Sequence, residues 1–427
     1  MRDIWLVAWL LLGMGFTFRF PFIGVLIWEW LSLMDPHMEA YGFSRFIPLN
    51  LIIAIVTIVS WLASKEPKRI PSHSIIVLLA AFLAWTTFNS FFAFNPDWSW
   101  TYWDRTWRIF FFGLVVAGMA TNRTRIDALI WVAVISLLYY GVKGGVFTIE
   151  TGGVYKVYGP ESSIIGDNNQ LALALLMILP LVGYLRASVP YKPLSWLLTG
   201  CFLFTAISIL GSYSRGAYVA MAAIAIMGLF KTRRKFLFLA GLVVAAGAIY
   251  YFTPEEIMNR AATIGSAESD ASFHGRWVAW QVAIKYATDH FPFGAGFYGP
   301  QLSGIFNHYF PDEEAHAAHS IYFQVLGEHG FIGLALYLAI VIVSFFACWR
   351  LARTPQSEGT LWIQKLAAML QISLFAFFIG GAALSMAYYD LFIILICLIP
   401  QLARLSQRVP EKKFVFQATD RSVPNAG

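Results

Sequence analysis

"HSIYFQVLGEHGFIGLALYLAIVIVSFFACWR" runs from His319 to Arg350. From Phe331 onward it is almost wholly apolar, and it closes on an arginine. A helix needs about 20 such residues to cross the hydrocarbon core of a bilayer. The run is therefore read as a membrane span over 319–349. Two histidines, a serine and a glutamate sit at its mouth, where burial of a polar group is costly. Their presence there asks for a reason, and the reason depends on the surrounding chain.

The chain has 427 residues, 58% of them hydrophobic and 13% charged. Its mean hydropathy is +0.63. Soluble domains carry about 25% charged residues. Apolar runs recur at about 4–18, 20–34, 47–63, 73–93, 104–120, 126–147, 166–186, 194–211, 216–230, 236–252, 361–387 and 389–403. With 319–349 this makes thirteen segments, or twelve if the first two form one unit bent at Arg19 and Pro21. The expected fold is an all-α polytopic membrane protein of twelve or thirteen transmembrane helices. A membrane barrel would show alternating strands of about ten residues instead. No cleavable signal peptide is read, because the first apolar stretch has no small-residue cleavage site. Cys201, Cys348 and Cys397 all fall inside apolar runs and read as packing residues.

Lysine and arginine set the sidedness. Arg19, Lys65, Lys68, Arg69, Arg123, Arg125, Arg186, Lys192, Lys231, Arg350, Arg353 and Lys365 fall on alternate loops, with Arg404 and Arg408 in the tail. That side is assigned to the cytoplasm. Four regions follow: an N-terminal bundle over 1–252, an outward loop over 253–318, C-terminal helices over 319–403 and a cytoplasmic tail over 404–427. The outward stretch is too long for a plain connector. Within it Trp277, Trp280, Ile284 and Ala287 recur at helical spacing, and their aromatic face suits a membrane interface. Pro292 stops that helix, and Gly294, Gly296 and Gly299 shape a tight loop.

Basic residues on the outward side break the charge rule, so each needs an explanation. Arg215, in "GSYSRGAYVA", stands beside Ser212, Ser214 and Gly216. It reads either as an arginine reaching for headgroups or as part of a turn that wraps an anion. Arg276 follows Gly275 near a helix start, where free N–H groups favour phosphate, or it is a solvated side chain. His319 projects from the first turn of a span, where a near-neutral imidazole suits a general base; an interfacial histidine is the plainer reading. His316 is a rival base, whereas His290, His308 and His329 read as structural. Glu328 lies too far along a straight helix to touch His319 and reads as a packing or supporting partner. Asp312, Glu313, Glu314, His316 and His319 would suit a divalent metal, but such a run is more often a solvated acidic loop, so no metal is assigned. "GDNNQ" at Asp167–Gln170 reads as a helix cap whose Asn168 and Asn169 would also hold sugar hydroxyls or a headgroup. Lys143 and Lys156 bracket a glycine-rich outward loop and would guide an anionic lipid. No P-loop or dinucleotide motif is present, and no cofactor is expected.

These stretches resemble a known family. "HSIYFQVLGEHGFIG" resembles the His-Asn-x-x-Leu…Glu-x-Gly-x-x-Gly motif of the O-antigen ligase and polymerase superfamily. "GSYSRGA" resembles that family's Ser-Arg-Gly turn, and "GRWVAWQVAIKYATDHFPFGAG" resembles its periplasmic Gly-Arg…Trp…Pro-x-Gly-x-Gly segment. The likeness covers about 205 to 335, with Ser320 where asparagine is usual and Phe323 where leucine is usual. The opening "RFPFIGVLIWEWLSLMDPH" also resembles ligase-like members linked to exopolysaccharide and exosortase clusters.

The resemblance implies a fold like that of C-type membrane glycosyltransferases, with a partly helical periplasmic loop. It implies a multi-pass protein of the bacterial inner membrane with its active site facing the periplasm. The donor would be a glycan on undecaprenyl diphosphate and the acceptor a sugar hydroxyl of lipid A–core lipopolysaccharide. Arg215 and Arg276 would bind the diphosphate and His319 would act on the acceptor hydroxyl. Ser214, Asn168, Asn169, Lys143, His316 and Glu328 would support them. Transfer would be metal-independent and inverting. A polymerase or a protein O-oligosaccharyltransferase of the same superfamily is the near alternative. A lipid-linked glycan transporter and a Ser/His intramembrane protease are the distant ones.

Overall fold

Helix starts in this chain are written in short polar residues. Asn95, Asn122 and Asp167 each accept a backbone N–H two or three residues on through a side-chain oxygen. Each such cap satisfies an otherwise orphaned donor and stabilises by about 1 kcal/mol. In the computed structural model the described residues are 1–231, 235–236, 247, 271–355, 357 and 359–408. Among them every regular element is helical.

The long helices are α1 (Arg2–Arg19), α2 (Pro21–Met34), α4 (Leu49–Ala63), α5 (Ser74–Ser90), α6 (Pro96–Met119), α7 (Arg123–Glu150), α8 (Asn168–Ser188), α9 (Lys192–Gly211) and α10 (Arg215–Lys231). After the undescribed stretch come α11 (Ala271–Asp289), α13 (Ile321–Leu351), α14 (Leu361–Gly381) and α15 (Asp390–Gln407). Two short helices, α3 (Pro36–Ala40) and α12 (Ser303–Tyr309), lie in connections. Among the described residues six helices, α7, α8, α9, α13, α14 and α15, are long and apolar enough to cross a membrane. Shorter apolar helices include α2, α4 and α5. The chain is a multi-pass membrane protein. The apolar segment expected at 236–252 lies almost wholly outside the described residues, as do 253–270 of the outward loop and the tail after Arg408.

Three details are added to these expectations. First, of the two readings of the opening apolar stretches, they are two helices rather than one bent unit. They fold back on each other, with Thr17 of α1 against Gly24 of α2 and Gly13 against Ile27. Second, α6 begins at Pro96, eight residues before the apolar run. Charge and aromatics mask it in a hydropathy window, while the Asn95 cap and a proline in the first turn favour a helix start there. Third, α13 breaks at Gly330, whose φ of 67° and ψ of −171° are not helical.

Close packing holds the bundle, since lipid offers no hydrophobic drive between helices. Gly141, Gly144 and Gly145 of α7 face Thr205, Ser208 and Phe204 of α9. A Cβ on Gly145 would sit 2.2 Å from the Phe204 carbonyl oxygen, so only glycine allows this approach. α8 and α15 are apolar nearly all round and buried along most of their lengths, as central helices must be. The helix ends alternate along the chain. Arg125 grips Glu66 at 2.7 Å and Arg123 lies over Trp362, so loops assigned to one side do meet at one end of the bundle.

Candidate functional site

At the other end, α8, α10 and α13 begin, and each brings one part of the site. Asp167 caps α8 through Asn169 N at 2.9 Å. Asn169 turns its amide back to Asp167 Oδ1 at 3.0 Å and Asn168 Oδ1 at 3.2 Å. Asn168 donates to the carbonyl of Ser212 at 2.7 Å, tying this cap to the serine-arginine turn. In that turn Tyr213 has a φ of 54°, and Ser214 Oγ accepts from Ala217 N at 3.2 Å as the cap of α10. Arg215 is the first residue of α10 and is exposed. Gly216 beside it packs against Ala383, just past the end of α14. Gly381, two residues earlier, packs against Ile321, the first residue of α13. The Arg215 turn and the His319 segment thus flank the same end of α14.

His319 stands just before α13, with a φ of 43°. A non-glycine residue with positive φ is uncommon, and histidine is among the residues that tolerate it. The segment is pinned from α11, where Trp280 donates to the Ala318 carbonyl at 2.6 Å and stacks on Phe323 at 4.8 Å. Burial by these neighbours, then the Arg276 guanidinium, holds the His319 imidazole below its ordinary value. Asp167 pulls it the other way, and His316 adds weakly to the lowering. Asp167 and Arg276, from two distant stretches, are therefore both within electrostatic reach of His319. Arg215 and Arg276 are both engaged by other groups.

His316 sits against Gly275 at the start of α11 and meets Phe306 edge-on at 6.2 Å. It also lines a cavity of about 10 Å³ with Gln324, Glu328 and Ser385. Glu328 is buried and accepts from the Tyr388 hydroxyl at 2.6 Å and Tyr298 N at 3.1 Å. Its own carbonyl accepts from Asn89 at 2.8 Å and Gly296 N at 2.9 Å. Lys143 is placed elsewhere, on α7, where it pairs with Glu39 at 3.4 Å. His274 pairs with Glu313 at 2.8 Å, and among the described residues no three His, Cys, Asp or Glu gather as metal ligands would. His329 is fully buried beside Phe297 and Phe82; His290 stacks on Tyr286 at 4.0 Å.

The two glycine motifs meet face to face. Ala295 N donates to the Gly327 carbonyl at 2.8 Å, alongside the Gly296–Glu328 bond. A Cβ on Gly294 would strike His329 N at 2.3 Å, and one on Gly330 would strike the Pro292 carbonyl at 2.3 Å. The break in α13 exists to admit this loop. The face that α11 buries runs through Val278, Ala279, Val282 and Tyr286. Trp277, on the face read as suited to a membrane interface, stays exposed. Sequence reading passed over Asn89, Tyr388 and the charge of Asp167. Only Asp167 left a signal, as the acid in the cap of α8.

Residues 200–338 match a family model described as O-antigen ligase. That match, over about a third of the chain, supports the O-antigen ligase superfamily. The match spans the Arg215 turn, α11, the glycine loop and the His319 segment. Residues 1–189 match a second model, a family of unknown function. No curated protein matches the chain. The matched segment supports a ligase- or polymerase-type family function, in a chain whose apolar helices make it a multi-pass membrane protein.

Proposed function

We propose that the chain is an O-antigen ligase: a glycosyltransferase that moves a glycan from undecaprenyl diphosphate to a sugar hydroxyl of lipid A–core at the periplasmic face. The observation that supports this most is the imidazole of His319 within electrostatic reach of both Arg276 and Asp167 at one end of an apolar bundle. A neutral imidazole accepts the acceptor's proton as its oxygen attacks the anomeric carbon. The bond from that carbon to the diphosphate oxygen breaks, and the electron pair leaves with the polyprenyl diphosphate. Direct displacement inverts the anomeric centre. Arg215 and Arg276 neutralise the charge that develops on the leaving group, a task that fixed guanidinium groups perform without reorganising. Asn168 and Asn169 hold the cap beside the turn, and Glu328 fixes the loop that carries α11 into α13.

Purified chain in vesicles, given the lipid-linked glycan together with rough lipopolysaccharide, a second lipid-linked glycan and a serine-rich protein, tests this with EDTA present. Product on lipid A–core is expected. Longer lipid-linked chains would instead make it a polymerase, and labelled protein a protein O-oligosaccharyltransferase. Passage of the donor across the bilayer without transfer would make it a transporter.

A pH profile tests the base. His319 acts when neutral, and its pKa lies below the ordinary 6.5, so turnover is retained as pH falls to that value and is lost below it. Asp167→Asn keeps a good helix cap but removes the one charge that favours imidazolium. Its acid limb, read as turnover at saturating donor, is expected to move to lower pH. A limb that stays put or moves up argues against His319 as the titrating group.

A further inference from the structure

A second cavity, of about 330 Å³, lies away from His319 between α2, α4, α6 and α15. Its polar rim is made by Asp35, Asn50, Asp104, Arg105, Arg108 and Asp390. These residues sit at the ends where α2 stops and α4 and α15 start, and in the third and fourth turns of α6. Deeper along the same helices the wall turns apolar, with Ile55 and Ile58 on α4 and Phe112 on α6. Asn50 and Ile58 are eight residues apart, about 12 Å along a helix. Polarity thus falls from the bundle end inward on two walls at once, the profile of a lipid with a charged head and an apolar chain.

The charges around the rim are not self-sufficient. Arg108 already pairs with Asp104. Arg105 is within electrostatic reach of both Asp35 and Asp390, yet among the described residues neither carboxylate forms an ion pair. Asn50 Oδ1 is buried with no hydrogen-bond partner, and an unsatisfied buried acceptor carries a desolvation cost. Burial, then the neighbouring Asp390, pushes Asp35 up to about 7. Two crowded carboxylates and an orphaned carbonyl oxygen together ask for a compact cation with several N–H donors. Arg105 beside them asks for an anion.

We propose that this cleft binds a zwitterionic phospholipid with a primary ammonium. The ammonium would sit on Asp35, Asp390 and Asn50, the phosphate against Arg105, and one acyl chain along the apolar wall. A quaternary ammonium has the charge but no N–H to give, and an uncharged glycerol head has donors but no charge. The residues come from α2, α4 and α6 in the N-terminal segment and from Asp390 far along the chain, so the lipid would bridge the two ends of the sequence. This reading does not depend on which acceptor the His319 site uses.

The test is native mass spectrometry of the full chain released from detergent, with phosphatidylethanolamine, phosphatidylcholine and phosphatidylglycerol of matched chains. Wild type is expected to retain phosphatidylethanolamine about ten-fold over either rival, the scale of one or two charge-assisted hydrogen bonds. Asp35→Asn with Asp390→Asn should erase that preference. Arg105→Gln should lower retention of both phosphatidylethanolamine and phosphatidylcholine. Asn50→Leu, a gentler change, should narrow the gap between them. Equal retention of the three lipids by wild type overturns the proposal without recourse to any variant. So does an intact preference in the double variant.

Discussion

Replacing His319 by alanine is expected to lower glycan transfer by about 10²–10⁴-fold, the usual worth of a positioned general base. Donor retention on the purified protein should stay near wild type, because the arginines are untouched. The positive φ at this position introduces a second effect, since alanine is less at ease there than histidine. His319→Asn separates the two. Asparagine accepts the same backbone conformation but is no base, so its loss of rate should match that of alanine. Initial rates with saturating donor, set beside the thermal midpoint of each variant, make the comparison. Near-normal transfer by either variant removes His319 from the mechanism.

Arg215→Ala and Arg276→Ala are each expected to cost about 10²–10³-fold in rate, the range seen when one donor to a developing anion is removed. They should also weaken capture of the lipid diphosphate, which His319→Ala should not. Lysine in place of either arginine keeps the charge but loses the planar fork, so it should restore binding more than turnover. The ratio kcat/KM and donor retention, measured together, distinguish this from a folding defect. Arg276→Ala carries a further signature, because its guanidinium is the principal charge that disfavours imidazolium at His319. Its acid limb should move to higher pH, opposite to that of Asp167→Asn. Loss of rate in Arg215→Ala and Arg276→Ala with unchanged donor capture would count against the diphosphate role.

What the sequence disclosed was local. Long apolar runs declared helices because nothing else survives in lipid. Asp167 announced the start of α8 because a short carboxylate is a good cap. The glycine, serine-arginine and histidine motifs pointed to one end of the bundle because alternating helices put every second loop there. What stayed hidden were the partners. Periodicity says which face of α11 is apolar only when polar residues mark the other face, and here Trp277 and Lys285 blur that contrast. The electrostatic reach of Asp167 to His319 spans more than a hundred residues and leaves no trace in spacing. The break at Gly330 reads as one glycine inside an apolar run until Pro292 and Phe293 are seen pressed against it. The rim of the second cavity joins Asp35 to Asp390, and neither acid stands out alone.

The clasp between the Gly294–Gly296 loop and the broken start of α13 has a mechanical consequence. α11, which bears Arg276, runs into that loop, and the short first part of α13 leads back to His319. Bonds from Gly294, Ala295, Gly296 and Tyr298 to Asn89, Gly327 and Glu328 lock the two arms at their base, as the rivet locks a pair of tongs. Spreading the arms at their tips means shearing that rivet, so the gap between cation and imidazole is set before any glycan arrives. On the Arg215 side, among the described residues, the end of α14 stands between the jaws through Gly381 and Ala383, so any opening for a bulky chain would have to fall there.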